Sequence, residues 1–372
     1  MKLSSIEVIP VHMPILESMR IKDAYGWKQT SEYVVLRITN EAGLEGIGEA
    51  CFTDVWSGER QAGSVEVIQR VLIPAILPYE LFDIRRMLAA MDLAIYGHHA
   101  SKAAVEMAVL DLMGKTLGVP LYKLLGGKVR EAIPVKFSIS AINDEARLRT
   151  IVDYAMERGI RTIKVKVGMT PEQDLERLRI LHDAYGKELS LAIDANNAWR
   201  LDEAKRMIKR LEQYELLFIE QPLAREDYGG FRELRQFTSC PIVMDESIFT
   251  TGQAWRALQA EAADIYSVYP AKNGGIYKSM QILSAAGMAK KTGLLGSNLE
   301  LGIGSAAMAH LGIAHETIDD LTYPSDIIGP LYHTDDIITT ATHYRDGQVI
   351  VPEGPGLGVT IDEEKLRHYS VN

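Results

Sequence analysis

Three acidic residues close three successive apolar runs: Asp194 ends LSLAID, Glu220 ends LLFIE and Asp245 ends PIVMD. Carboxylates gathered at one level repel one another unless a cation sits among them. An oxygen-only donor set suits a hard ion, Mg²⁺ or Mn²⁺, better than zinc, which takes His or Cys. One such Asp would cap the following helix, but three in register, one of them a Glu, favour a metal. Asn196 and Glu246 follow two of the acids by two residues and one residue, placed to support them from behind.

An earlier run, TIKVKVG, carries Lys164 and Lys166. A strand repeats every two residues, so both lysines share one face while Ile163, Val165 and Val167 take the other. An ammonium group in a protein interior is costly unless anions stand near it or its pKa is depressed. Two adjacent lysines beside a metal ion are expected to supply that depression and make one of them a base near neutral pH. The combined chemistry is abstraction of the proton beside a metal-bound carboxylate, giving an enediolate.

What must position these groups is legible in the run spacing. Eight short apolar runs, IPVKFSIS, TIKVKVG, LSLAID, LLFIE, PIVMDE, ADIYSVY, TGLLGSN and LTYPSD, are each followed by an amphipathic stretch. From the second run on, Lys164, Asp194, Glu220, Asp245, Tyr269, Asn298 and Asp326 mark the run ends at intervals of 24 to 30 residues. That is one βα unit each, and eight units make a (β/α)8-type TIM barrel whose strand ends carry the chemistry. The first fifty residues alternate as an antiparallel sheet of about three strands, and a helical period follows to about Leu117. The expected organisation is an α+β domain over 1–125, a barrel over 126–328, and a C-terminal segment over 329–372, with strand-like QVIV, packing back on the first domain.

With 372 residues the chain can bury a large core, and 47% apolar with 24% charged residues is ordinary globular composition. A formal net charge of −10 opposes binding to nucleic acid or an anionic membrane. Cys51 and Cys240 fit no disulfide or metal spacing, and no apolar stretch is long enough to span a membrane, so a cytoplasmic protein is expected.

The segments TIKVKVG, IDANNAW, FIEQPL, VMDES and AKNGGI, with GIGEA and KAAVEMAVLDLMGKTLGVPLYKLLGG before them, resemble the enolase superfamily, in its muconate lactonizing enzyme-like branch. The resemblance spans nearly the whole chain. It implies a capping domain that closes over a small carboxylate substrate, Asp194, Glu220 and Asp245 as Mg²⁺ ligands, Lys166 as the proton-transferring base and Lys164 assisting at the substrate carboxylate. It also implies a homo-oligomer. Residues 17–30, with Arg20, Lys22, Tyr25 and Trp27, and residues 53–58, with Trp56, would be the specificity loops. His98 or His99 could add a polar contact.

One departure bears on the reaction. The branch carries a second lysine on the sixth strand, about five residues before the Gly-Gly pair, where this chain has Tyr269. Lys272 is read as a loop residue, and the seventh strand offers Asn298 where the mandelate racemase-like branch has a histidine. Inversion of a stereocentre needs a proton-transfer group on each face, so a one-faced reaction is favoured. A muconate-type cycloisomerase leads, followed by a dehydratase of a sugar acid or hydroxy amino acid, with Tyr269 as an acid, and by an epimerase. Asp326, at the end of the eighth run, is expected to orient a substrate oxygen or a catalytic group, and a helix cap explains it nearly as well. From other classes, a catalytically silent binding protein is disfavoured by the cost of the buried charges, and a phosphate-binding barrel rests only on Gly302-Ile303-Gly304.

Overall fold

The computed structural model describes residues 3–23, 26–319 and 321–371, with the backbone alone for 3, 4, 21–23 and 26–28. The chain opens on a three-stranded antiparallel sheet, Leu3–Pro14, Thr30–Asn40 and Glu45–Cys51, in that order. Between the first two strands, where sequence suggested a loop, lie a 3-10 turn at Glu17–Met19 and a hairpin of Ile21–Asp23 with Gly26–Lys28.

The period of two in GIGEAC puts alternate residues on opposite faces of the sheet. Gly46 and Gly48 meet the helix His99–Leu117, where a Cβ would run into the carbonyls of Ala108 and Ala104. Glu49 and Cys51 point the other way, to residues 298–304. Residues 100–114 of that helix are all buried, so its acids need internal partners. Glu106 accepts the backbone N–H groups of Ile276 and Tyr277, capping the helix Ile276–Met288. Asp111 accepts those of Ile47 and Leu357, and Glu59 accepts those of Ala100 and Ser101.

The second part is a mixed α/β fold around seven parallel strands hydrogen-bonded in chain order: Phe137–Ile139, Thr162–Lys166, Ser190–Asp194, Ile219–Glu220, Ile242–Met244, Ile265–Val268 and Thr292–Leu295. Amphipathic helices alternate with most of them, such as Glu145–Met156, capped by the Asp144 carboxylate, and Pro171–Tyr185, capped by Thr170. The eighth expected run forms no strand. Pro324 interrupts it, and Ser325 makes a single parallel bridge to Val135. Its backbone still reaches both edges of the sheet: Lys136 N donates to Ser325 O at 2.9 Å and Asp326 N to Leu295 O at 2.7 Å.

The C-terminal residues divide their contacts. Gln348–Val349 pairs antiparallel with Tyr344–Arg345 and with Ile133–Pro134, at the entrance to the parallel sheet. Ser370 bridges to Val11 and His333 to Ile15 in the first strand region. Among the described residues no helix is long and apolar enough to cross a membrane.

Glu49 ties the antiparallel sheet to the other part by accepting Leu301 N and Gly304 N at the start of the helix Gly302–Ala314. Burial pushes its carboxyl up to about 8, with Glu300 and Asp336 adding to the rise against the Gly304 and Leu301 hydrogen bonds. A folded-state pKa above the unfolded one stabilises the fold most at low pH and loses that contribution as pH climbs towards the folded value. The penalty is on the order of a few kcal/mol when complete. We predict that Glu49→Gln flattens the decline in thermal midpoint between about pH 5 and pH 8; an unchanged slope would contradict the assignment.

Candidate active site

Strand register brings the charged residues to one level. Lys166 lies beside Asp194, and Asp194 beside Glu220. Asp245 follows directly on the strand that ends at Met244. Lys164, Lys166, Asp194, Glu220, Asp245 and Asp326 line a cavity of about 70 Å³. Thr53, Trp56, Ser138, Ser297, Asn298, Leu299 and Ile328 complete its wall.

Each of the three carboxylates is drawn onto its own lysine. Lys166 Nζ donates to Asp194 Oδ2 at 2.6 Å, Lys164 Nζ to Glu220 Oε1 at 2.9 Å, and Lys272 Nζ to Asp245 Oδ1 at 2.5 Å. Among the described residues no three His, Cys, Asp or Glu side chains form a ready coordination cluster. The donor chemistry nevertheless fits a hard cation. The acids come from neighbouring strands with oxygen alone, and Glu220 Oε2 is buried without a hydrogen-bond partner.

Supporting groups surround the acids. Asn196 accepts from Lys166 Nζ at 2.8 Å and donates to Glu246 Oε1 at 2.8 Å, so one amide joins the lysine to the second acid of VMDES. Its left-handed backbone, φ +43°, turns the chain just past Asp194. Asp326 Oδ2 accepts from Lys164 at 2.7 Å and stands 3.1 Å from Lys136 Nζ. Lys136, fully buried in the first parallel run, was not singled out from sequence. Its signal was a lysine two residues before Ser138 in an otherwise apolar run.

The electrostatics follow from these pairings. Burial alone would lower Lys164, but Asp326, Glu220 and Asp194 outweigh it and hold the ammonium well above its ordinary value. Burial, joined by neighbouring acids and resisted by Lys164, pushes Glu220 up to about 8. Asp194 and Asp326 go down despite burial, Asp194 through Lys166 and Lys164, Asp326 through Lys136 and Lys164. Tyr269 is held far up by burial and by Asp245 and Glu300, so it is a neutral phenol.

The remaining expected residues divide. Trp56 lies in the cavity wall, its carbonyl held by Arg225 Nη1 at 2.8 Å, and Asn298 joins it there. Tyr269 is buried just behind, its hydroxyl 3.5 Å from Asn298 Oδ1. Arg20 does not line the cavity and stands 3.7 Å from Glu17. The side chains of Lys22 and Trp27, and all of Tyr25, lie outside the described residues. His98 and His99 are not part of the wall. His98 precedes the helix His99–Leu117, and His99 packs against Phe249.

Gln221, also unremarked in the sequence, joins the strand ends. Its Oε1 accepts Asp245 N and Ser247 N, and its Nε2 donates to Leu223 O and Ser247 Oγ. Gln221→Leu would orphan several buried polar groups, and we predict a loss of about 2–4 kcal/mol in denaturant unfolding. A loss below about 0.5 kcal/mol would show that the amide is not needed there.

Known proteins share this chain's sequence pattern and fold. Residues 5–126 match the mandelate racemase / muconate lactonizing enzyme N-terminal domain, and residues 147–365 match the enolase C-terminal domain-like family. Muconate cycloisomerase 1 of Pseudomonas putida is 33% identical over 99% of this chain and 98% of its own. The structure of muconate lactonizing enzyme from Pseudomonas fluorescens complexed with muconolactone superposes with a TM-score of 0.94 at 30% identity, covering 100% of this chain and 99% of that one. N-succinyl Arg/Lys racemase from Bacillus cereus also superposes at 0.94, with 27% identity over 100% of this chain and 99% of that one. An antiparallel N-terminal sheet, seven parallel strands and both family domains in order make this chain a member of the mandelate racemase/muconate lactonizing enzyme family of enolase-superfamily enzymes.

Proposed function

We propose that the chain is a Mg²⁺-dependent cycloisomerase acting on an unsaturated dicarboxylate of the muconate type, through an enediolate. The observation that carries this reading is the pair Lys164 and Lys166, side by side in a cavity with three strand-end carboxylates, in a chain 33% identical to a muconate cycloisomerase. Asp194, Glu220 and Asp245 would hold the ion, which when bound would offset the charge that builds on the substrate carboxylate.

The chain's own residues account for the rest. Lys164, paired with Asp326 at 2.7 Å, attracts and orients the substrate carboxylate. Lys166, one strand repeat further on and fixed by Asp194 and Asn196, faces the carbon beside that carboxylate. The second carboxylate adds to the conjugated double bond. A C–O bond forms, the π pair moves into the enediolate, and the Lys166 ammonium delivers its proton to the adjacent carbon. Water then restores the lysine proton. Every proton transfer lies on one face, so the reading needs no second lysine at position 269.

Tyr269 favours a second reading, elimination of water from a hydroxy acid. A phenol 3.5 Å from Asn298 Oδ1, which lines the cavity, can give a proton to a departing hydroxide, whereas a neutral phenol is a poor base. The same property weighs against racemisation. In both readings residues 1–125 cap the cavity, residues 126–328 close as an eight-membered barrel, and residues 329–372 fasten the two. Backbone bonds from residues 325–326 to both sheet edges support the closure.

The test is turnover in D₂O with Mg²⁺ against muconates, sugar acids and hydroxy amino acids, followed by NMR. We expect a lactone with deuterium beside its carboxylate, and a loss of roughly 10²–10⁴-fold in Lys166→Ala. Turnover undiminished in that variant would overturn the lysine's role. Tyr269→Phe separates the two readings: lactone formation is expected to survive it, whereas a dehydratase would retain α-exchange and lose the unsaturated product.

A further inference from the structure

The Asp245 side chain is held by a lysine that does not face the cavity. Lys272 lies in the short helix Pro270–Asn273, and its Nζ reaches back to Asp245 Oδ1 at 2.5 Å, Asp245 O at 2.8 Å and Ser267 O at 2.9 Å. An ammonium has three N–H groups, and these are three acceptors. The residue is 2% exposed and absent from the cavity wall, which Lys164 and Lys166 both line. Exchanging a proton with substrate would require breaking this arrangement.

The turn that carries Lys272 is built tightly. Tyr269 N donates to Asn273 Oδ1 at 3.0 Å, and Asn273 Nδ2 donates to Ile248 O at 2.8 Å, on the segment that follows Asp245. Gly274 and Gly275 leave the turn with φ of +78° and +124°. A Cβ at Gly275 would collide with the Glu106 carboxylate, so the Gly-Gly pair of AKNGG is required where this turn meets the long helix.

We infer that Lys272 is a resident counter-ion of the metal centre. It neutralises Asp245 from behind, lets Asp194, Glu220 and Asp245 fold side by side without a cation, and competes with the cation for the charge of Asp245. The inference rests on the proposed assignment of those three acids as ligands. Its basis is Coulombic: a positive charge beside a ligand lowers the repulsion among like-charged carboxylates and opposes a dication at the same place.

The experiment compares wild type, Lys272→Met and Lys272→Arg, each free of substrate. Mg²⁺ affinity is read by calorimetry and the thermal midpoint is read in EDTA and in saturating Mg²⁺. Lys272→Met is expected to melt lower in EDTA, to recover most of that loss in Mg²⁺, and to bind Mg²⁺ roughly tenfold more tightly. Lys272→Arg is expected to stay within about threefold of wild type. An equal drop in midpoint with and without Mg²⁺, or unchanged or weaker binding, would make Lys272 a mere anchor of its turn and overturn the inference. Wild type that takes up no Mg²⁺ would overturn the ligand assignment itself. Should Lys272→Met fail to fold in EDTA, the double variant with Asp245→Asn decides: removing both charges should restore metal-free folding, and failure to do so would contradict the inference.

Discussion

Charge balance inside the parallel sheet is the constraint on which the rest depends. Among the described residues, Asp194, Glu220, Asp245, Glu246 and Asp326 are buried at the strand ends with Lys136, Lys164, Lys166 and Lys272. Breaking such a pair by removing one partner costs about 3–5 kcal/mol, because the other charge is left in a poor solvent. The lysines therefore cannot be distributed at will. Two enter the cavity, one supports Asp326 and one holds Asp245, and each location assigns a different chemical task.

The same economy of buried charge joins the two parts of the molecule. Glu49 and Glu106 belong to the N-terminal sheet and helix, yet they answer N–H groups at the starts of the helices Gly302–Ala314 and Ile276–Met288. Tyr33 donates to Leu299 O at 2.5 Å, and Cys51 exchanges hydrogen bonds with Asn298. The segment after the seventh strand is thus held by the antiparallel sheet. Asn298 and Leu299 in the cavity wall are therefore positioned partly from outside the parallel sheet. This couples the antiparallel sheet to the shape of the site.

Sequence periodicity reported the elements well where burial is regular. TIKVKVG became a strand because Ile163, Val165 and Val167 alternate with the two lysines at a strand's period of two, and LSLAID because its apolar residues form the short run a buried parallel strand needs. LTYPSD had the same spacing but only a bridge, since Pro324 lacks an N–H for the ladder. The stretch at residues 17–30 read as a loop because short hairpin strands with mixed polar residues carry no clear alternation. Lys272 lies beyond the strand end, as its spacing suggested, but the spacing did not report its partner: the tight turn at residues 269–275 folds its side chain back to Asp245.

By itself the sequence determined which groups could do chemistry and on which strand each sits, because spacing of two within a strand and of one βα unit between strands is a local property. It therefore yielded Lys164, Lys166, Asp194, Glu220 and Asp245 without coordinates. Only the tertiary structure decided which carboxylate faces which lysine, that Lys164 sits between Asp326 and Glu220, that Lys136 and Lys272 stand behind the acids, and that Gln221 joins the strand ends. These depend on distances between residues up to 190 positions apart, as from Lys136 to Asp326, and on burial that multiplies each charge interaction. Neither is written in any single stretch of chain.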